Sequence, residues 1–213
     1  RILLTKPGII LKSLFHGVNN TLMQEKVVKT AKIPKGFPSV DILDLLPDFN
    51  VKISNYSFLN GTSTPIDIAL LKALAGTFKD CSYLEIGSWR GESIANVADV
   101  AKECVSISLS DKEMHAIGFG ERFTNMQRFF SKGKTNIQYI HHNSLTFDFS
   151  KLNKKFDLIF VDGDHAYEAV KKDTENVFNL LKDENSIIVW HDYLANFELP
   201  AWHVVAAIWD GTP

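Results

Sequence analysis

Residues 84–93 read Leu84-Glu85-Ile86-Gly87-Ser88-Trp89-Arg90-Gly91-Glu92-Ser93, and this stretch decides the fold class. It runs from a hydrophobic strand through a glycine turn into a helix. Gly87 can adopt backbone conformations closed to other residues, and it lets a ligand approach the main chain. Gly91 allows close packing where the helix begins, and the amides of that helix end point towards a bound ligand. The stretch therefore predicts a strand, a turn that holds a ligand, and a helix.

The regular pattern extends from Thr64 to the end of the chain. Hydrophobic runs predict strands at 82–87, 104–109, 137–142, 156–161 and 186–190. Helical spacing predicts helices from Pro65 and at 92–101, 112–131, 166–181 and 200–209. Strands that alternate with helices indicate βαβ units and a parallel sheet, and right-handed crossovers place helices on both faces. The predicted fold class is therefore α/β: a Rossmann-like, mostly parallel sheet with helices on both faces.

The first 64 residues have a different pattern. They show no clean strand alternation, and short amphipathic pieces are predicted at 22–31 and 40–46. We interpret residues 1–64 as an N-terminal cap or extension, and residues 65–213 as the main domain. Residues 1–15 mix basic and apolar side chains, but they lack the continuous apolar stretch and the small-residue cleavage site of a signal peptide. Neither a signal peptide nor a membrane-surface helix is therefore favoured.

The composition excludes several classes of protein. The formal net charge is −2, with 45% hydrophobic and 23% charged residues, which is typical of a globular domain. No basic stripe predicts a nucleic-acid partner, and no apolar run is long enough to span a bilayer. Cys81 and Cys104 lack metal-site spacing and are too few for a disulfide scaffold. We expect buried, reduced thiols in a cytoplasmic protein.

Acidic and histidine side chains follow the fourth and fifth predicted strands. The fourth strand ends in Val161-Asp162-Gly163-Asp164-His165, and the fifth ends in Trp190-His191-Asp192-Tyr193. The carboxyl ends of parallel strands border one cleft, so these side chains are expected to converge there. Carboxylate oxygens with an imidazole suit Mg²⁺ or Mn²⁺ better than a tetrahedral zinc site. The sequence therefore predicts a divalent-cation site.

The glycine turn does not match a dinucleotide-binding protein. Its pattern is acid-x-Gly-x-x-x-Gly, whereas dinucleotide binders carry G-x-G-x-x-G. Trp89 occupies the position at which a bound pyrophosphate needs the second glycine. A nicotinamide-dependent dehydrogenase is therefore a poor interpretation of this chain.

Residues 84–93 resemble motif I of the class I S-adenosylmethionine-dependent methyltransferases. Together with the two acidic segments, they resemble the family that contains sugar and macrolide O-methyltransferases, whose members carry DGDH and then HD or ED at these positions. The resemblance runs from Ser82 to Tyr193. It implies an enzyme that binds S-adenosylmethionine within residues 65–213 and methylates a small hydroxylated acceptor, a sugar or a glycosylated metabolite.

The resemblance also implies residue roles. Asp162, His191 and Asp192 would hold Mg²⁺ or another divalent cation, and His165 would be the general base, with Asp162 also catalytic. The implied cofactor-binding residues are Glu85, Gly87, Ser88, Gly91, Ser93, Ser108, Asn143, Ser144 and Asp162. Asp164 has a simpler alternative as a cap of the following helix.

The chain departs from the family in two places. The acid that usually receives the cofactor ribose near the end of the second strand is replaced by Ser108, and Asp111 either caps the next helix or reaches the ribose instead. The two final strands of the family sheet are expected to be missing, which leaves the fifth strand with an open or covered edge. A metal-independent methyltransferase and a catalytically inactive methyltransferase-like binding module remain alternatives, and a homo-oligomer remains open.

Overall fold

The structure, a computed structural model, describes residues 20–194 and 199–213. Within these residues the chain forms a five-stranded sheet in which all neighbouring strands are parallel, in the order β3-β2-β1-β4-β5. The strands are β1 (Ser82–Ile86), β2 (Glu103–Ser108), β3 (Ile137–His141), β4 (Leu158–Val161) and β5 (Ile187–Trp190). The predicted Rossmann-like α/β fold is therefore confirmed.

The helices alternate with the strands, as the sequence predicts. The described helices are α1 (residues 20–31), α2 (Ile42–Leu45), α3 (Pro65–Thr77), α4 (Glu92–Val97), α5 (Asp111–Ala116), α6 (Glu121–Thr124), α7 (Tyr167–Phe178) and α8 (Trp202–Gly211), with a 3₁₀ turn at Phe149–Leu152. The predicted start of α3 is confirmed, because Thr64 is its N-cap and Pro65 its first residue. Thr64 and Asp67 form a reciprocal capping box.

The prediction of one long helix over 112–131 is wrong. Gly118 has φ +95°, a left-handed conformation that ends α5, and only the short α6 follows before β3. The chain after α6 bonds instead to the β1 turn. The Arg128 amide donates to the Trp89 carbonyl at 2.7 Å, and the Phe130 amide donates to the Arg90 carbonyl at 2.9 Å. Tertiary hydrogen bonds thus replace helical ones here.

Other predicted elements are present with shifted ends. Helix α4 ends at Val97 instead of residue 101, and α7 covers Tyr167–Phe178 instead of 166–181. Strand β4 begins at Leu158, while Phe156 forms an isolated bridge with Leu181. These shifts leave the order of elements unchanged.

The central strands β1, β2 and β4 are buried on both faces, which explains their apolar runs. Successive side chains of a strand point to opposite faces. Tyr83 and Phe160 lie in the cluster packed under α3 and α4, and Leu84 and Ile159 lie in the opposite cluster, which Val177 of α7 covers. Cys81 and Cys104 are buried free thiols, and burial raises the pKa of Cys81 to about 12. The predicted burial of the two thiols is therefore confirmed, and their reduced state stays a prediction.

The described N-terminal segment packs in two places. Val27 of α1 is 1% exposed and lies among Trp202, Val205 and Ala206 of α8. Residues 54 and 55 instead bond to Asn96 of α4, and residues 57–60 reach the β1 turn and the start of α4, as described below. The division of the chain at residue 64 stays a prediction, and the expectations for residues 1–15 lie outside the described residues. No described helix combines the length and apolar character needed to cross a bilayer.

Strand β5 is an edge strand within the described residues. It pairs with β4 on one side, and no strand from residues 194 or 199–213 pairs with the other. Those residues supply a bridge between Leu194 and Pro200 and then α8, which packs against α7. This agrees with the expected open edge.

Candidate active site

A cavity of about 940 Å³ opens at the carboxyl ends of the strands. The turn after β1 and the loops after β2, β3 and β4 form most of its wall, as expected for a ligand site in a parallel α/β sheet. The sequence-predicted residues that line it are Gly87, Ser88, Gly91, Ser93, Ser108, Asn143, Ser144, Asp162, His165 and His191. Glu85 and Asp192 lie outside this lining. Apart from these two, the predicted cofactor residues and the predicted metal residues therefore border one cavity.

The two glycines of the β1 turn are required by the backbone. Gly87 has φ +98° and Gly91 has φ +83°. A Cβ on Gly87 would lie 1.9 Å from the Asp162 carbonyl oxygen, and one on Gly91 would lie 2.4 Å from Ser131 Oγ. The turn therefore packs at Gly87 against the β4 loop and at Gly91 against Ser131, and the close approach at Gly87 is possible only for a residue without a side chain.

Glu85 lies beneath the turn and does not line the cavity. Its side chain is buried at 1% exposure, and it accepts hydrogen bonds from the Tyr83 hydroxyl at 2.7 Å and from Ser93 Oγ at 2.8 Å. Burial raises the pKa of Glu85. The carboxylate thus connects β1 to the first turn of α4. A direct contact of Glu85 with a cofactor stays a prediction.

Arg90 and Glu92 form a buried ion pair that the sequence analysis missed. Arg90 is 3% exposed, and its Nε donates to Glu92 Oε1 at 2.9 Å. Arg90 Nη1 donates to the Asn60 carbonyl at 3.1 Å, and Ser57 Oγ donates to Glu92 Oε1 at 2.6 Å. We call these contacts the Arg90 brace. The brace fastens residues 57–60 of the N-terminal segment to the β1 turn.

Aromatic rings form one wall of the cavity. Trp89 stacks on Phe123 with ring centroids 3.9 Å apart, and Phe123 stacks on Phe119 at 4.4 Å. The Arg90 guanidinium lies 4.0 Å from the Trp89 ring centroid on a cation–π contact. Trp89 and the two phenylalanines line the cavity. This wall offers apolar and planar contact surface to a ligand.

Asp162, His165, His191 and Asp192 come together, and we call them the His–Asp cluster. His165 Nε2 lies 2.8 Å from Asp192 Oδ2, and His191 Nδ1 lies 2.9 Å from the same oxygen. Asp162 Oδ1 is 3.2 Å from His191 Nδ1 and 3.9 Å from His165 Nε2. The predicted convergence of these four is therefore present.

Asp164 does not join the His–Asp cluster, contrary to expectation. Its Oδ1 accepts a hydrogen bond from the Ala166 amide at 2.9 Å, and the residue is exposed. It is not the N-cap of α7 either, because Ala166 holds that position without a side-chain cap. Asp164 thus supports the loop that leads into α7.

The donor set of the His–Asp cluster fits a divalent cation. One ligand atom each from Asp162, His165 and Asp192 lie within 4.8 Å of one another. His191 Nδ1 and Asp192 Oδ2 are buried without a hydrogen bond of good geometry among the described residues. Asp192 also has φ +56°, a conformation uncommon for a residue with a side chain. Strained residues and unsatisfied buried atoms concentrate at functional sites.

The pKa shifts in the His–Asp cluster indicate that a positive charge stabilises it. Burial raises the pKa of Asp162 to about 7, with Asp192 adding to the shift and His191 opposing it. Burial alone would lower the pKa of His191, but Asp192 and Asp67 outweigh it and raise that pKa to about 10. The carboxylates thus hold a proton or a protonated imidazole between them, and a bound cation can take its place.

Asp67 is a further residue that the sequence analysis missed. Its Oδ2 lies 3.8 Å from His191 Nε2, while His191 Nδ1 faces Asp162 and Asp192. A carboxylate on the far nitrogen commonly orients a metal-binding histidine. An acid at this position is expected from the capping box with Thr64 alone, so nothing in the sequence indicated that Asp67 also lies beside His191.

In the structure Asp111, which follows β2, is neither the cap of α5 nor a residue that lines the cavity. The N-cap of α5 is Ser110, whose hydroxyl accepts from the Glu113 amide, so the prediction of Asp111 as the cap is wrong. Asp111 Oδ1 accepts from Gln127 Nε2 at 3.0 Å and does not line the cavity. Ser108 does line it, and so does Glu113, which the sequence analysis overlooked.

A buried carboxylate lies behind the β4 loop. Asp173 of α7 is 1% exposed, and neither of its oxygens has a hydrogen bond of good geometry among the described residues. A Cβ on Gly163 would lie 3.4 Å from Asp173 Oδ2. Burial raises the pKa of Asp173 to about 6, with Ser144 partly opposing the shift.

Stability should respond to pH through Asp173. Its raised pKa means that the folded state binds more protons than the unfolded state above the unfolded pKa, so its contribution to the free energy of unfolding falls as pH rises from about 4 to 6. Asp173→Asn removes this dependence. We expect the variant to gain about 1–3 kcal/mol relative to the unmodified protein between pH 4 and pH 7 in urea unfolding. The exposed control Asp183→Asn should show no such gain, and an equal gain in both variants would contradict the assignment.

The fold and this cavity define a class of protein, the class I S-adenosylmethionine-dependent methyltransferases. A glycine turn after β1, without the pyrophosphate-binding glycine, faces the cavity, and the buried Ser88 hydroxyl there has no hydrogen bond of good geometry among the described residues. The model of the family described as "Methyltransferase domain" matches residues 84–193, about half of the chain. The chain belongs to this methyltransferase-domain family.

Individual relatives are distant. The cofactor-bound crystal structure of Rv0187 from MTB superposes with a TM-score of 0.52 at 19% identity, covering 70% of this chain and 67% of that one, and this likeness concerns the fold. An S-adenosylmethionine-dependent methyltransferase from Clostridium acetobutylicum ATCC 824 gives 0.43 at 19% identity, covering 70% and 54%. The uncharacterized protein R132 of Acanthamoeba polyphaga mimivirus is 24% identical over 144 residues, which are 62% of this chain. The match spans 62% of that curated relative's length.

Proposed function

We propose that this protein is an S-adenosylmethionine-dependent O-methyltransferase that uses a divalent cation and acts on a small hydroxylated acceptor. The observation that carries the proposal is the His–Asp cluster, which borders the cavity that the β1 turn also faces. The proposed cofactor contacts are the cavity-lining residues of the β1 turn, together with Ser108, Asn143 and Ser144. The resemblance to sugar and macrolide O-methyltransferases supports a sugar or glycosylated acceptor.

Asp162, His191 and Asp192 are the proposed cation ligands. His191 Nδ1 lies within about 3 Å of an oxygen from each carboxylate, so a single ion can share these three atoms after a small adjustment. Asp67 on the other side of the ring supports this orientation of His191. A bound divalent cation lowers the pKa of an acceptor hydroxyl and orients it.

His165 is the proposed general base. Its side chain is 55% exposed, against 26% for His191, so it is the more accessible imidazole for an acceptor. With S-adenosylmethionine bound, the acceptor oxygen would bond to the methyl carbon, and the sulfur would keep the electron pair of the broken carbon–sulfur bond. A neutral His165, whose Nε2 faces Asp192 Oδ2 at 2.8 Å, would take the hydroxyl proton on its other ring nitrogen. The base must be neutral to act, so charge on the carboxylates has to be compensated by something other than His165.

Cation dependence tests the proposal directly. We expect purified protein to transfer a methyl group from S-adenosylmethionine to a sugar hydroxyl in the presence of Mg²⁺ or Mn²⁺, and to lose most activity in EDTA. Recovery on addition of the metal provides the control for damage by the chelator. Full activity in EDTA would refute the metal role and favour a metal-independent methyltransferase. No transfer to any of a broad acceptor set, with cofactor bound, would favour an inactive binding module.

Substitution of His165 and of His191 should affect different steps. His191→Ala removes a proposed ligand, so we expect Mn²⁺ affinity measured by calorimetry to fall at least about tenfold. His165→Ala removes the proposed base, so turnover should fall about 10²-fold or more while Mn²⁺ affinity changes little. The alternative ligand set of Asp162, His165 and Asp192 predicts the reverse pattern of metal affinities.

A further inference from the structure

The turn at Asn60 and Gly61 carries a reactive pair of residues that neither the fold nor the proposed function uses. It is the only place in the chain where a glycine follows an asparagine. Both residues are exposed and lie in a turn outside the helices and strands. The side-chain amide carbon of an asparagine can be reached by the backbone nitrogen of the next residue, and a glycine leaves that nitrogen unshielded. This turn is therefore open to attack by the backbone on its own side chain.

Both reacting groups of the turn are free of hydrogen bonds within the described part of the chain. Neither the Asn60 side chain nor the Gly61 amide bonds to another described residue. Asn185 provides a contrast, because it is also exposed and lies in a turn. The amide that follows it, that of Ser186, donates to the Asp183 carbonyl at 3.2 Å. The nitrogen is thus available at Asn60 and engaged at Asn185.

The Arg90 brace activates the peptide group of this turn. The buried guanidinium, at 3% exposure of Arg90, donates through Nη1 to the Asn60 carbonyl oxygen at 3.1 Å. That carbonyl and the Gly61 nitrogen belong to one peptide group. A charged donor on the oxygen draws electron density from the group and makes its N–H more acidic, since hydrogen bonds from cations are the strong ones. The folded structure therefore favours the Gly61 nitrogen as a nucleophile.

We infer that Asn60 is a site of spontaneous modification, at which the folded protein converts an asparagine to isoaspartate beside the cavity. The Gly61 nitrogen loses its proton and bonds to Asn60 Cγ, and the side-chain nitrogen leaves with that proton as ammonia. The product is a cyclic imide. Water then adds to the former main-chain carbonyl carbon of Asn60, and the bond from this carbon to the Gly61 nitrogen breaks. This leaves a carboxylate there, and the main chain now runs through Cβ and Cγ. No oxidant or reductant is needed.

The modification changes the wall of the cavity. The new carboxylate forms from the carbonyl that Arg90 already binds, so the guanidinium gains a second anionic partner beside Glu92. The main chain between this carboxylate and Gly61 becomes longer by one carbon. Gly61 has φ +76°, and a Cβ on it would lie 3.1 Å from the Trp89 ring, so little space exists on that side. Residues 61–63, which line the cavity, must therefore shift. The inference depends on neither the cation nor the methyl acceptor.

Peptide mapping by mass spectrometry, with fragmentation that distinguishes isoaspartate from aspartate, tests the reaction. Purified protein is incubated at mildly alkaline pH, folded in native buffer and unfolded in guanidinium chloride. Isoaspartate at Asn60 should form in the folded protein at least as fast as in the unfolded one. Asn185 should react about tenfold or more slowly when folded, because the Ser186 amide is bonded there. Conversion of Asn60 that is more than about threefold slower in the folded protein would overturn the inference.

Hydrogen exchange tests the consequence for the cavity wall. Asn60→Gln keeps the main-chain carbonyl that Arg90 binds, but its longer side chain does not form this ring readily, so the variant should not convert. After incubation, amide exchange in residues 61–63 of the unmodified protein should be at least about threefold faster than in the variant. Exchange in residues 54 and 55, which bond to Asn96, should be alike in both.

Two results would contradict the structural consequence. Isoaspartate at Asn60 without faster exchange in residues 61–63 would show that the wall does not shift. The same increase in exchange in incubated Asn60→Gln would show that incubation acts elsewhere in the chain. The comparison of folded with unfolded protein needs no variant, so it stands even if Asn60→Gln fails to fold.

Discussion

Replacing Asp162 with Asn should reduce methyl transfer by at least about 10²-fold while leaving the folded protein intact. Asp162 is a proposed cation ligand, and an amide oxygen is a weaker, uncharged ligand than a carboxylate. The fold should tolerate the change, because burial raises the pKa of Asp162 to about 7 and a neutral side chain of the same shape costs little there. The readouts are turnover, Mn²⁺ affinity and the thermal midpoint of unfolding.

Asp164→Asn is the matched control for this experiment. It lies two residues further along the same loop, and its carboxylate bonds the Ala166 amide, which an asparagine oxygen can also accept. Turnover of this variant should stay within a few-fold of the unmodified protein. If the two variants lose activity equally, the effect belongs to the loop and not to the His–Asp cluster. If Asp162→Asn keeps full activity, Asp162 is not a ligand.

Gly87→Ala should destabilise the protein by about 3 kcal/mol or more and abolish measurable cofactor binding. The added Cβ would lie 1.9 Å from the Asp162 carbonyl oxygen and 2.6 Å from Gly163 Cα, and backbone cannot move aside as a flexible side chain can. The φ of +98° adds conformational strain for any other residue. Relief requires the β1 turn and the β4 loop to separate, which opens the cavity wall. Urea unfolding and calorimetry with S-adenosylhomocysteine measure the two effects.

Gly76→Ala provides the contrast. Gly76 lies in the last turn of α3, and apart from its own helix backbone no atom lies within 4 Å of the Cβ that alanine would add. Alanine is favoured over glycine in a helix, so this variant should be at least as stable as the unmodified protein, by up to about 0.5–1 kcal/mol, and bind cofactor normally. A Gly87→Ala protein as stable as the unmodified one would show that the two loops do not pack as the structure has them.

The order of strands and helices was predictable because each element carries its own periodic signal. Strand β4 illustrates this, since its apolar run reflects burial on both faces. The break between α5 and α6 was not predictable, because Phe123 and its neighbours follow a helical pattern while Arg128 and Phe130 bond to the β1 turn. Hydrogen bonds between segments distant in sequence overrode the local preference.

The candidate site, like the fold, could be predicted only in part. Asp162, His165, His191 and Asp192 were predicted to meet because each follows a strand end, a position that topology alone specifies. Asp67 and Glu113 were missed because each belongs to a capping box, a local role that accounts for an acid without any ligand. Their places, beside His191 and at the cavity wall, emerge only when the fold positions α3 and α5.

The Arg90 brace limits how this domain can be recombined with its relatives. The family match covers residues 84–193, yet the acceptor for the buried guanidinium at Asn60 and the donor to Glu92 at Ser57 both lie before it. A chimera that grafts the matched segment alone onto another N-terminal region would keep the Arg90–Glu92 ion pair but remove the Asn60 carbonyl and the Ser57 hydroxyl that bond to it, at a cost of about 1–3 kcal/mol for each buried group left unsatisfied. Residues 57–62 and the β1 turn therefore depend on each other structurally. Hybrids whose crossover point keeps these two segments from the same parent should be soluble more often than hybrids whose crossover point separates them.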